Sequence, residues 1–232
     1  MRRITFVTAV AVLALVRLAQ ADFVQTYNTG FQNGGVIPDG SLTGWSDTRT
    51  VSASPGLITD VSVSLNLSGG WNGDLYAYLV HSSGFAVLLN RVGVDGINSA
   101  GYGNAGMNVV LNDAGALGNI HFYGGAGVPT GTYQPDGRNV NPLSSGAIIS
   151  GTTPTALLSS FNGLNPNGNW TLFIADVSGG DQITVGTWTL SMNIAAVPEP
   201  RSIVEGGIAA LFMGVLVGLY RLRTVTSSLR PA

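Results

Sequence analysis

The chain is cut into short pieces by turn dipeptides. Asn-Gly begins at Asn33, Asn72, Asn162 and Asn167, and Asp-Gly at Asp39, Asp95 and Asp136. Gly accepts the positive φ of a tight turn freely, and Asn and Asp tolerate it, so each pair marks a place where an extended chain can reverse. Between these marks the hydrophobic period is two. Val61, Val63, Leu65 and Leu67 share one face, and Ser62, Ser64 and Asn66 the other. Leu75, Ala77 and Leu79 alternate with Tyr76, Tyr78 and Val80, and Met107, Val109 and Leu111 with Asn108 and Val110. Trp170, Leu172 and Ile174 alternate with Thr171, Phe173 and Ala175, and Trp188, Leu190 and Met192 with Thr187, Thr189 and Ser191. Phe85 to Leu89 is a short apolar run. No segment between the turns has a helical period. Many short strands separated by turn signals predict an all-β fold, an antiparallel sandwich or barrel.

Two stretches are looser. Residues 22–56 are polar and glycine-rich and offer one strand, near Phe23 to Tyr27. Residues 112–160 hold much Gly, Pro, Ser and Thr and read as long loops, which in a compact domain are usually functional or mobile.

The two ends carry addresses. Arg2 and Arg3 precede an apolar run from Ile4 to Val16, and Ala19-Gln20-Ala21 is an A-x-A cleavage pattern. These are the marks of a signal peptide over 1–21, with Asp22 as the expected first mature residue. At the other end, the prolines of Val197-Pro198-Glu199-Pro200 disfavour helix before them. Ile203 to Tyr220 then form an apolar run closed by Arg221 and Arg223. As a helix these eighteen residues extend about 27 Å, against a hydrocarbon core of about 30 Å. Glu205 lies at the outer edge of the run, where a charge costs less than at the midplane. The arginines favour a cytoplasmic C-terminus. A transmembrane helix over 203–220 is therefore expected. The tail resembles a PEP-CTERM sorting signal, which implies an exosortase-type sorting enzyme as partner, and display at the cell envelope, cell surface or extracellular matrix.

The body between the ends, residues 22–196, carries three arginines (Arg49, Arg91, Arg138), no lysine and ten aspartates as its only acids. An acidic body of this kind speaks against nucleic acid, which demands a basic face. The chain has no cysteine, which removes disulfides, thiolate metal sites and thiol nucleophiles together. Asp is at once a turn residue, a solubilising surface charge and a ligand for hard cations, and composition alone leaves these roles open.

Four segments in order resemble a P domain (P/Homo B domain), the β-sandwich that follows the catalytic domain in subtilisin-like proprotein convertases. They are Ile58 to Leu67; Trp71-Asn72-Gly73-Asp74-Leu75 with Ser82-Ser83-Gly84; Gly131 to Gly137; and Asn167 to Leu172 with Asp176, Gly179-Gly180-Asp181 and Gly186 to Leu190. The resemblance covers roughly residues 36–194. It implies a jelly-roll-like sandwich over 36–196, with 22–35 as a linker or first strand and the sorting tail over 197–232. It also implies calcium at the turns, held by Asp74, Asp113, Asp176 and Asp181. No twelve-residue EF-hand loop is present.

The only histidines are His81 and His121. No G-x-S-x-G elbow, H-E-x-x-H or phosphate loop accompanies them, and both read as solvated or packing residues. The expected protein is an exported, surface-displayed binding or matrix module without catalysis. Trp45, Tyr102 and Tyr123 are candidates to stack on extracellular polysaccharide or peptide. The alternative is an accessory domain acting in trans with a separate serine endopeptidase.

Overall fold

The computed structural model describes residues 20–53, 55–196, 207 and 210–220. Residues 20–196 belong to one compact unit, and the helix over 210–220 belongs to a second. The expected cleavage residue Ala19, the sorting motif Val197-Pro198-Glu199-Pro200 and part of the expected span 203–220 lie outside the described residues. Residues 210–220 are helical and apolar on every face, and no helix among the described residues is long and apolar enough to cross a membrane.

Nine strands build the first unit: β1 (Gln20–Tyr27), β2 (Ser41–Val51), β3 (Leu57–Gly69), β4 (Leu75–His81), β5 (Gly84–Asn90), β6 (Met107–Leu111), β7 (Thr130–Tyr133), β8 (Gly168–Asp176) and β9 (Ile183–Ala195). They form a five-stranded sheet ordered β1-β9-β3-β6-β7 and a four-stranded sheet ordered β2-β8-β4-β5. The two inner faces are the period-two apolar sets. Val63, Leu65, Leu111 and Leu190 from one sheet, with Leu75, Leu79, Trp170 and Leu172 from the other, are fully buried in a single core. The predicted sandwich is present.

Three details depart from the sequence reading, and a fourth extends it. β7 runs parallel to β6, with Val109 opposite Gly131, so the sandwich is not purely antiparallel. The long connection over 112–129 supplies the crossover that a parallel pair needs. β2 escapes the hydrophobic pattern because its inward positions include a charge: Trp45, Asp47 and Val51 are its buried residues. Its start is also irregular, shifting register between Ser41 and Trp45, where Gly44 sits at φ 58° with Ile174 and Phe173 too close for any side chain. The stretch 112–160 is not only loop, since it holds β7, a short helix α1 (Gly146–Gly151) and 3-10 turns at Ile120–Phe122 and Leu158–Phe161. Finally, β1 begins at Gln20 and pairs Ala21 with Ile194, so the segment read as a linker or first strand opens with a strand of the five-stranded sheet.

Candidate functional site

Pairing in the four-stranded sheet brings distant acids to one end of the sandwich. Leu75 is opposite Asp176, and Tyr76 is opposite Asn90. The residues just outside those pairs, Asp74 and Arg91, therefore stand beside Asp176 at the same sheet end. The β8–β9 connection, which carries the chain from one sheet to the other, adds Ser178, Gly179 and Asp181. Val177 donates its N–H to the Asp74 carbonyl at 2.9 Å, which pins this connection to the start of β4. Asp39 closes the group from the other side, both its oxygens accepting from Gly180 N at 3.2 and 3.1 Å.

The turn that carries Asp74 is held by what it packs on. Gly73 donates to the Tyr102 carbonyl at 2.9 Å, and a Cβ on Gly73 would fall onto the Ala100 carbonyl oxygen. Asn72, fully buried, donates its side-chain amide to the Gly106 carbonyl at 2.9 Å and to the Tyr123 hydroxyl at 3.2 Å. Arg91 sits at φ 50°, the left-handed region, which costs a residue with a side chain about 1–3 kcal/mol. The bonds that hold it there also aim its guanidinium. Its backbone N–H donates to Leu75 O at 2.7 Å, Nε to Gly73 O at 3.1 Å and Nη2 to Ser99 O at 3.3 Å, and Nη2 lies 3.7 Å from Asp74 Oδ1.

The result is a cleft of about 420 Å³ lined by Trp71, Asp74, Arg91, Ser99, Ala100, Ser178, Gly179 and Asp181. Burial pushes Asp176 up to about 6, against a Ser178 N–H that lowers it, and the charges of Asp74, Asp39 and Asp181 push the same way. Asp74 is raised too, first by burial, with Arg91 opposing and Asp181 and Asp39 adding. The cleft thus holds more negative charge than its one guanidinium balances.

Three of the four aspartates expected to hold calcium lie at this sheet end: Asp74 and Asp181 line the cleft, and Asp176 is buried beside it. Asp113 does not join them. Its carboxylate accepts from Leu158 N at 3.0 Å and Ser159 N at 2.8 Å, capping a 3-10 turn beside a separate hollow lined by Asn119, Gln134 and Pro135. The neighbouring Asn112 Oδ1 accepts from Ala114 N at 2.9 Å, the side-chain geometry of a turn. The oxygen donors of the cleft suit a hard cation chemically. Among the described residues, however, no three carboxylate or imidazole groups converge closely enough to hold an ion in this arrangement. Asp39 and Arg91 carry no site signal in the sequence, because Pro38-Asp39-Gly40 reads as a turn and an isolated arginine has no motif; Trp71 opens one of the segments that resemble a P domain, but nothing there gives it a binding role.

Of the aromatic candidates, Trp45 lies in the core, while Tyr102 and Tyr123 are half-buried against it. Trp45 is buried, its Nε1 donating to Gln32 O at 2.9 Å. Tyr102 packs edge-on against Tyr123 at 4.7 Å, and the Tyr123 hydroxyl donates to Asn104 Oδ1 at 3.0 Å. The exposed tryptophan is Trp71, with 41% of its surface free.

Neither histidine is solvated. His81 is stacked on Trp170 at 4.2 Å, with Nδ1 2.9 Å from Asn169 O and Nε2 2.7 Å from Asn165 O. His121 is fully buried, with Nδ1 2.7 Å from Asp136 Oδ2 and Nε2 3.0 Å from Val94 O. Arg138 Nη1 reaches the other Asp136 oxygen at 3.1 Å.

No family model matches the chain, and no curated protein matches it. Among solved structures it is similar to the serine protease of Aeromonas sobria, at 16% identity and a TM-score of 0.44, covering 78% of this chain and 28% of that one. The same organism's serine protease and chaperone complex gives 16% identity and a TM-score of 0.45, covering 77% of this chain and 28% of that one. The chain thus spans under a third of the length of the proteins it is similar to, and a likeness at this level carries no functional argument.

Proposed function

We propose that the protein is an exported β-sandwich of P-domain type that binds at the cell surface or in the matrix and has no reactive centre of its own. The observation that carries this reading is the state of the histidines. All four ring nitrogens are within hydrogen-bond distance of a carbonyl or of Asp136. A triad base must keep one nitrogen for the nucleophile's proton, and neither histidine has one to spare. The segments that resemble a P domain fall on β3, the start of β4, β7, and β8 and β9 with the connection between them, all in one sandwich, in support of that kinship. Export and sorting rest on the terminal motifs. The helix over 210–220 supports membrane residence, since a helix apolar all round has no polar face to give to water.

The test is a peptidase assay on the native product purified from its host, together with its intact mass. An inert protein that starts at Asp22 and ends near Pro200 is the expected outcome. Cleavage of unstructured peptides by the pure chain would overturn the reading. A trans-acting accessory domain for a serine endopeptidase is consistent with the same inert histidines, and recovery of such a protease on the tagged chain would select it.

Calcium is part of the proposal, on charge alone. Asp74 and Asp181 line the cleft against the single guanidinium of Arg91, with Asp39 and Asp176 beside them, and a divalent cation would supply the missing positive charge. An ion that binds only the folded state adds about 2.7 kcal/mol at one hundred times its dissociation constant. Melting in calcium against chelator reads this directly, and coincident curves would remove the ion.

A further inference from the structure

We propose that the cleft beside Trp71 is a saccharide-binding site, selective for sugars without negative charge. The proposal rests on the reading of the chain as a binding module and names the ligand class of its cleft.

The platform comes first. Trp71 is the one tryptophan of four that is open to solvent, the others being 2% exposed or less. It is also held in place. A side chain at Gly103 would come within 3.2 Å of the Trp71 ring, so the indole rests on bare backbone. A fixed, half-exposed indole offers an apolar face at little cost in ordering, and the C–H face of a pyranose ring is its natural complement.

The polar rim decides the ligand. Asp74 and Asp181 present acceptors, Arg91 presents donors, and Ser99 and Ser178 line the same cleft. Donor and acceptor stand side by side at Arg91 and Asp74, 3.7 Å apart. A hydroxyl both donates and accepts, so neighbouring hydroxyls on a sugar can serve the carboxylate and the guanidinium together. A basic peptide side chain would meet Asp74 with Arg91 already beside it. A uronic acid would meet Asp74 and Asp181. At about 420 Å³ the cleft falls within the range of small-ligand sites.

The experiment uses the full chain, with divalent cations removed by chelator, in a detergent without a sugar head group. It is titrated with cellohexaose, maltohexaose and a glucosamine hexamer, with hexagalacturonate and hexa-arginine for comparison. Because the other three tryptophans are buried, a ligand-induced change in tryptophan emission reports on Trp71, and calorimetry gives the affinity. At least one of the three uncharged or amino sugars binds, at least tenfold more tightly than hexagalacturonate. Trp71→Ala weakens that binding tenfold or more, and Trp71→Phe stays within about threefold. Asp181→Ala, at an exposed loop position, weakens it at least threefold with the melting temperature unchanged, which keeps the test decisive if Trp71→Ala fails to fold. The proposal is overturned if none of the three sugars binds, if Trp71→Ala and Asp181→Ala leave binding unchanged, or if hexa-arginine alone binds. A chain that ignores sugars and cleaves no peptide loses this site and keeps the module reading; peptidase activity removes the module reading itself.

Discussion

Trp188 on β9 donates its indole N–H to Asp47 Oδ2 on β2 at 2.7 Å, a buried bond that joins the two sheets. The same oxygen accepts from Arg49 Nε at 2.7 Å, and the Arg49 guanidinium lies over the Tyr27 ring at 4.9 Å. One carboxylate therefore ties β2 to β9, and through Arg49 to the end of β1. Asp47→Ala leaves an indole N–H and a guanidinium short of their acceptor and costs about 2–3 kcal/mol. Asp47→Asn keeps an acceptor oxygen and costs less. Urea unfolding of the two variants checks the order.

Asp136 is the corresponding anchor under the 112–140 segment. It is fully buried and meets His121, Arg138 Nη1 and Asn90 N. Removing one partner of a buried charged group costs about 3–5 kcal/mol, because the remaining charge stays buried. Asp136→Ala is expected to lose that much, and to leave the peptidase assay where it was, at background.

The cleft makes stability depend on pH. Burial, with Asp74, Asp39 and Asp181 adding, holds Asp176 at about 6 against an ordinary 3.8. Between those values the folded chain keeps a proton that the unfolded chain has released. This contribution is full below about pH 4 and is lost as pH rises through about 6. Asp74 is displaced in the same direction. Asp176→Asn is expected to flatten the fall in urea midpoint from pH 4 to pH 7 and to raise stability at pH 7. A wild-type midpoint that climbs steadily across that window contradicts the account.

Gly73 is the hinge on which the cleft wall rests. Its missing Cβ would overlap the Ala100 carbonyl oxygen and crowd Tyr102 N at 2.9 Å. Both neighbours are backbone and cannot turn aside. Gly73→Ala is expected to cost about 1–3 kcal/mol by overpacking and to shift tryptophan emission as Trp71 moves. Gly151→Ala, where nothing lies within 4 Å of the added carbon and the backbone, like that of Gly73, is outside the left-handed region, controls for the loss of a glycine.

The inward faces of β3, β4, β6, β8 and β9 were legible because each alternates apolar with polar or aromatic residues over five or more positions. β2 was not, because its inward Asp47 is acceptable only once Trp188 and Arg49 are there to meet it, and they arrive from elsewhere in the chain. Asp74, Asp176 and Asp181 were legible as acids at turns, yet so was Asp113, which only caps one. Nothing local separates a carboxylate that faces an open cleft from one that two backbone N–H groups satisfy.

Sequence by itself determined the class of the fold, since a period of two interrupted by Asn-Gly and Asp-Gly leaves the chain little but short strands and reversals. It also removed disulfide chemistry, through the absence of cysteine. Tertiary structure alone decided which groups meet. Register sets Asp176 beside Leu75 and Asn90 beside Tyr76, and that placed Asp74, Arg91 and Trp71 around one cleft while Trp45 went to the core. Pairing of strands far apart in the chain is a long-range choice, and no local pattern encodes it.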